Sequence, residues 1–275
     1  MGSARVCPWT IAIFNPDLRH RQRHCRHDQD KIKEWEKDID ALAEIAISEP
    51  QLAYAAYIYG TSRRWQFVCR TTPGISEVMV NLETLIRKKL LPAILGCDHI
   101  SDQLRVILQL PARMGGMGFL NPSLEADSEL SNSKDITAQL VEFIYQQKDQ
   151  MEIDASRQED VMKEMRRMKE ERQKNLEVMV HSVIDEKMKR LLQLSAEKGA
   201  SAWLTSLPLK SHGFHLNKQQ FHDAVCMRFD LKNKNKNKNN IPFPTHKIKY
   251  IIRRYKRTNS SNGIAFQFKI FRELY

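Results

Sequence analysis

The sequence predicts an all-α protein: an irregular helical bundle with one long charged helix and a disordered basic C-terminal tail. Three observations predict it. Apolar residues recur at three- and four-residue steps through most of the chain. Cap residues and prolines stand where such runs begin. The stretch KNKNKNKNN at Lys232–Asn240 is low-complexity and polar and has nothing to bury.

Residues 1–30 are expected to form a basic flexible arm. They include HRQRHCRH, in which His20, His24, Cys25 and His27 are metal-ligating types. Zinc sites usually draw paired ligands from two places, and no second pair lies nearby, so the arm is read as solvated, with no metal or cofactor. A helical domain spans 31–150. Ile32, Trp35, Ile39, Leu42 and Ala46 predict a helix to about Ser48. Glu49-Pro50 resets the chain, and Leu52, Ala55, Ala56 and Tyr59 make a second helix for which Gly60 is a natural C′ residue.

The segment SRRWQFVCR, Ser62–Arg70, has two readings. Arginines beside aromatics can pair phosphates and stack on bases, which makes Arg63, Arg64 and Trp65 candidate nucleic-acid contacts. Alternatively it is a helix with Trp65, Phe67 and Val68 inside and its arginines outside. Thr72-Pro73 then predicts a cap and a first-turn proline for a helix through Ile75, Val78, Leu82, Leu85 and Ile86, punctuated by Pro92 and Gly96. Ser101 is the expected cap of a short helix, and Asn121-Pro122 the start of another that continues in helical style through Gln147.

Between these two helices lies LPARMGGMGF, Leu110–Phe119. A phosphate-binding loop of the Walker type needs Lys-Ser/Thr after its glycines, and a dinucleotide fingerprint needs a third spaced glycine between strand and helix. Neither is present. Gly115, Gly116 and Gly118 instead predict positive φ or a close backbone approach between packed helices, with Pro111 ending the first of them.

One long charged helix is predicted over 151–197. It has ten basic and ten acidic residues from Met151 to Leu194 and sparse apolar steps such as Val161, Met165 and Leu176. It is read as a solvated spacer, or as a surface for helix-mediated self-association. A small helical clasp follows over 198–231: Gly199 breaks the helix, Trp203, Leu204 and Leu207 are apolar, and LNKQQF at Leu216–Phe221 carries a capping box at Asn217 and Gln220.

The tail, 232–275, holds 12 of the chain's 44 basic residues and one of its 33 acidic ones, which leaves 32 of each in residues 1–231. The net charge of +11 therefore belongs to the tail. Within it Ile248, Ile251, Ile252 and Tyr255 share a helical face. Lys247, Lys249, Arg253, Arg254, Lys256 and Arg257 surround that face and are the further candidate contacts to RNA or DNA. Alternation at Ile264, Phe266, Phe268 and Ile270 reads as a short strand.

No run approaches the roughly 20 apolar residues of a membrane span, so no membrane partner is expected. Five scattered cysteines suit a reducing compartment, and the apolar run Trp9–Phe14 is too short for a secretory signal, so an intracellular location, nuclear or cytoplasmic, is expected. Cys69, Cys97, His99 and His181 supply catalytic residue types without a recognised spacing.

Five blocks in order carry a resemblance: EIAISEPQLAYAAY (Glu44–Tyr57), RRWQFVCRTTPGIS (Arg63–Ser76), LPARMGGMGFLNP (Leu110–Pro122), KGASAWLTSLPL (Lys198–Leu209) and LNKQQFHDAVCMRF (Leu216–Phe229). Over roughly Lys31–Phe229 the chain resembles non-LTR retrotransposon polyproteins, in the thumb or linker region C-terminal to the reverse-transcriptase palm. That resemblance implies a helical element that grips template and primer. The family's polymerase needs adjacent aspartates to hold two metals, and this chain has no Asp-Asp pair. Asp28-Gln-Asp30 lies in a charged arm, and Asp38-Ile-Asp40 lies on a helix where i and i+2 diverge, so neither would hold two metals. The family's downstream zinc knuckle and nuclease core are replaced by the polar run and a cysteine-free tail. The expectation is a truncated, non-enzymatic fragment with weak, non-specific binding of RNA or DNA. The alternative is a helical protein–protein interaction module acting through the long charged helix.

Overall fold

The computed structural model describes the backbone of residues 16–147 and 154–231, and side chains within these from residue 30 onward. The described residues are all-α, with no strand. The metal reading of His20–His27, the polar run, the basic face at 247–257 and the alternation at 264–270 concern side chains or segments outside that range.

Helix α1, Pro16–Ser48, takes in half of the expected flexible arm: the backbone is already helical from Pro16, a residue suited to the first turn. Its apolar positions Ile32, Trp35, Ile39, Leu42 and Ala46 are all buried, as their spacing requires. Pro50 opens α2, Pro50–Ala56. Gly60 does not end the second helix as expected. The chain passes through a π-helical turn, Tyr57–Thr61, straight into α3, Ser62–Thr71, and Gly60 lacks the positive φ of a C′ glycine. The wide turn lets Tyr57, Thr61, Trp65 and Cys69 all face the core.

Thr72 is not the cap of the next helix. Gly74, at φ 74°, precedes α4, Ile75–Leu85, because the Thr-Pro-Gly sequence spends Pro73 and Gly74 on a turn. Pro92 does not end that helix either. A second π turn, Ile86–Leu90, precedes α5, Leu91–Leu95. Proline lacks an N–H and crowds the carbonyl four residues back, and the wider turn makes room for it. Gly96, at φ 70°, ends the run.

The caps read from sequence at α6, Asp102–Gln109, and α7, Pro122–Tyr145, are present. Ser101 Oγ accepts from the Leu104 N–H at 3.2 Å, and Asn121 Oδ1 from Ser123 at 3.0 Å. The long charged helix is two helices, α8, Ala155–Val183, and α9, Glu186–Ala196. Ile184 turns extended, and Asp185 Oδ1 accepts from the Met188 N–H at 2.8 Å. An aspartate that caps a new helix competes with continuing the old one.

Residues 198–231 are not a separate clasp. Helices α10, Ala202–Thr205, and α11, Lys218–Phe229, share one core with α1 to α7. Buried Gln51 of α2 ties them in: its Nε2 donates to the carbonyls of Trp203 and Phe214 at 3.2 and 3.1 Å, and its Oε1 accepts from Leu216 N–H at 2.6 Å. The capping box at Asn217 and Gln220 forms in both directions, and Leu216 and Phe221 are fully buried.

His222 on α11 packs where Gly96 leaves no Cβ in the way, and its Nε2 is buried without a partner. Burial, with Lys218 beside it, holds the ring below the ordinary histidine pKa of 6.5. The unfolded chain therefore binds this proton more readily than the folded one. The stability that neutral His222 contributes is present above about pH 6.5 and is lost as pH falls toward the lower folded-state value. Urea unfolding at pH 7.5 and 5.5 is expected to show a drop in midpoint that His222→Gln reduces; an equal drop in the variant would assign the effect elsewhere.

Candidate nucleic-acid interface

Helix α3 carries the sequence-predicted contacts, and its π-turn start decides which of them reach solvent. Trp65 does not: it is 5% exposed, edge-on to Trp35 at 6.0 Å and packed on Tyr57 at 6.0 Å. A buried indole cannot stack on a base, so Trp65 is corrected to a core residue. Phe67, expected inside by the helical reading, is 71% exposed. One turn on either side of it stand Arg63 and Arg70, both exposed.

The arginines of α3 are mostly neutralised within the chain. Arg64 pairs with Glu34 at 2.8 Å and with Asp38. Arg70 Nε donates to Glu129 of α7 at 2.8 Å. Hydrogen bonding and charge from Lys31, then Arg64, hold the Glu34 carboxyl below its usual range. Among the described residues only Arg63 of these three has no ion pair. Such pairs are weak in solvent, yet they leave little net positive field to draw a polyanion.

A cleft of about 90 Å³ separates α3 from the glycine loop and the start of α7, and Ser62, Gln66, Cys69, Leu120, Glu125 and Glu129 are among its walls. Burial pushes the Cys69 thiol up to about 12, so it stands protonated and unreactive near neutral pH. Burial also raises the Glu125 carboxyl, with Arg172 offsetting it in part. The α7 wall holds two carboxylates, Glu125 and Glu129, which repel phosphate, and the α3 wall carries Arg63.

The glycine loop is itself committed. Its amides at Met114, Gly115, Gly116, Gly118 and Phe119 donate to carbonyls of residues 108–112, so they are not available to cradle a phosphate. Gly115 and Gly118 have φ of 92° and 75°, and Gly116 is the close approach: a Cβ there would overlap the Leu110 carbonyl. The carbonyls that the loop turns outward converge on Arg228 of α11. This side chain, 5% exposed, donates Nε to Gly115 O at 2.9 Å and Nη2 to the carbonyls of Ala112 and Gly116 and to Ser201 Oγ at 2.9 to 3.0 Å. Burial pushes the guanidinium down to about 10, and it remains charged at neutral pH.

No group of three or more His, Cys, Asp or Glu side chains suited to a metal occurs among the described residues. None of their helices is long and apolar enough to cross a membrane. Lys247, Lys249, Arg253, Arg254, Lys256 and Arg257 lie outside the described residues. Comparison of the chain with protein-family models, with curated proteins and with solved structures finds no match in any of the three.

Proposed function

We propose that this chain is a retroelement-derived helical region that carries no polymerase or endonuclease catalytic residues of its own and binds RNA or DNA weakly and without sequence preference through its basic tail. The observation that carries the reading is the partition of charge: 12 basic residues against one acidic in 232–275, and 32 against 32 before it. The pairing of Arg64 and Arg70 with carboxylates supports it, because it moves the polyanion contact away from α3. The retroelement origin is supported by the five ordered blocks of sequence. Phosphate neutralisation accounts for affinity without base readout.

The expected result is measured by fluorescence anisotropy of labelled RNA and DNA duplexes against the full chain. If the six cations of 247–257 contact phosphates, affinity falls by about 10³-fold between roughly 50 and 200 mM salt. Replacing all six by glutamine abolishes most of the binding at either salt. Binding that survives the six substitutions would place the contact elsewhere and overturn the assignment to the tail.

A second reading, a helical protein–protein module, is favoured by α8, whose single fully buried side chain among the described residues is Val180. Self-association that persists in high salt, with no nucleic-acid shift, would select it.

A further inference from the structure

Helix α7 leaves the core near Ala126 and ends in ITAQLVEFIY, Ile136–Tyr145, with seven apolar residues in ten. None of them is buried. Leu140, Val141, Ile144 and Tyr145 are 41%, 43%, 61% and 83% exposed. At about 100° per residue these four cover an arc of roughly 140°. Helix α8 occupies another side: Gln139 donates to Asp154 O at 3.3 Å, and Glu142 faces Arg157 at 3.5 Å. One face of α7 is thus left apolar and uncovered, whereas a helix that is apolar on most sides normally lies inside a protein or an assembly.

The α8 side of that face carries an excess of acid. Among the described residues from Gln139 to Lys163, four acids (Glu142, Asp154, Glu159 and Asp160) stand against two bases, Arg157 and Lys163, whereas residues 1–231 as a whole are balanced. The complementary chemistry occurs in the same chain. KIKYIIRRYKR, Lys247–Arg257, has six bases, no acid, and Ile248, Ile251, Ile252 and Tyr255 at the spacing of one helical face. An amphipathic helix laid into an apolar surface with opposite charge at its rim is a recurring recognition mode.

The reach is sufficient. Asp230, next to the last described residue, pairs with Lys187 at the start of α9. The 29 residues of α8 rise about 43 Å from there to the α7 tip. The 16 residue steps from Leu231 to Lys247 can span at most about 53–58 Å. We infer that the exposed face of α7 at Leu140, Val141, Ile144 and Tyr145 is the docking surface for the chain's own Lys247–Arg257 segment, bound intramolecularly. This stands on the tip and the segment alone. Its regulatory consequence rests on the proposed function: a docked segment withdraws its cations from phosphate.

The test is zero-length carbodiimide coupling of the dilute full chain, without nucleic acid, followed by peptide mapping of the monomer fraction. Amide bonds from Lys247, Lys249 or Lys256 to Glu142, Asp154 or Glu159 are expected in the monomer. A double variant, Ile144→Ser with Tyr145→Ser, removes exposed side chains only, leaves the core intact, and is expected to lower their yield several-fold. Absence of these bonds from the monomer overturns the proposal, as does their appearance in a covalent dimer alone, where a second copy supplies the segment. An unchanged yield in the double variant also overturns it, since charge alone would then bring the groups together. Because no nucleic acid is present, the failure of the tail to bind RNA leaves this result untouched.

Discussion

Replacing Arg228 by methionine is expected to destabilise the chain by about 3 kcal/mol, although the new side chain is apolar and of similar length. The cost comes from what stays behind. The carbonyls of Gly115 and Gly116 face a buried position and lose the guanidinium that satisfies them. The Ala112 carbonyl keeps Ser201 Oγ at 2.7 Å and Gly115 N–H at 3.2 Å, so it adds little. Arg228→Lys is expected to recover less than half of the loss. A single ammonium cannot match a planar fork that meets carbonyls on both sides of the loop. Urea unfolding of the three full-length proteins measures this, and equal midpoints would mean that water or local rearrangement satisfies the loop as well as the arginine does.

The same interaction shows what a linear reading misses. Arg228 falls at a core position of α11 by periodicity, and an arginine there reads as a residue at the edge of an apolar face. Its carbonyl partners lie more than 110 residues earlier, and nothing local announces them. Caps are the opposite case. Ser101, Asn121 and Asn217 bond to amides two or three residues away, so their role is written in adjacent residues, and each is used as expected. Thr72 shows the limit of that logic, because the following Pro-Gly offered a competing turn.

Exposure on α3 was illegible for a related reason. Whether Trp65 or Phe67 faces inward depends on the phase of the helix, and the π turn at Tyr57–Thr61 shifts that phase by one residue relative to α2. Periodicity counted across the turn therefore mixes two registers. The break between α8 and α9 was hidden because Asp185 looks like one more acid in an alternating charged tract. Placement of the candidate site suffered accordingly: the arginines of α3 were legible as surface residues, but their carboxylate partners on α1 and α7 were not.

The glycines give the sharpest contrast between positions that look alike in sequence. Gly116→Ala is expected to cost about 2–4 kcal/mol. Its Cβ would overlap backbone, the Leu110 carbonyl, and that carbonyl is held by the Gly118 N–H at 2.8 Å, so it cannot swing away without breaking the loop. The displaced loop would also move its carbonyls off Arg228, which couples the two sites. Gly116→Ala combined with Arg228→Met should therefore cost less than the two changes added together. Gly60→Ala is expected to do the reverse. Gly60 lies inside the helical run with no atom near its missing Cβ and without positive φ, so alanine should stabilise by about 0.5–1 kcal/mol through reduced freedom of the unfolded chain. Unfolding midpoints of the three variants decide the matter. If Gly116→Ala proved neutral, the loop would be pliable and its glycines would need a different explanation; if Gly60→Ala proved costly, the π turn would be specified by glycine rather than by the packing of Tyr57 and Trp65.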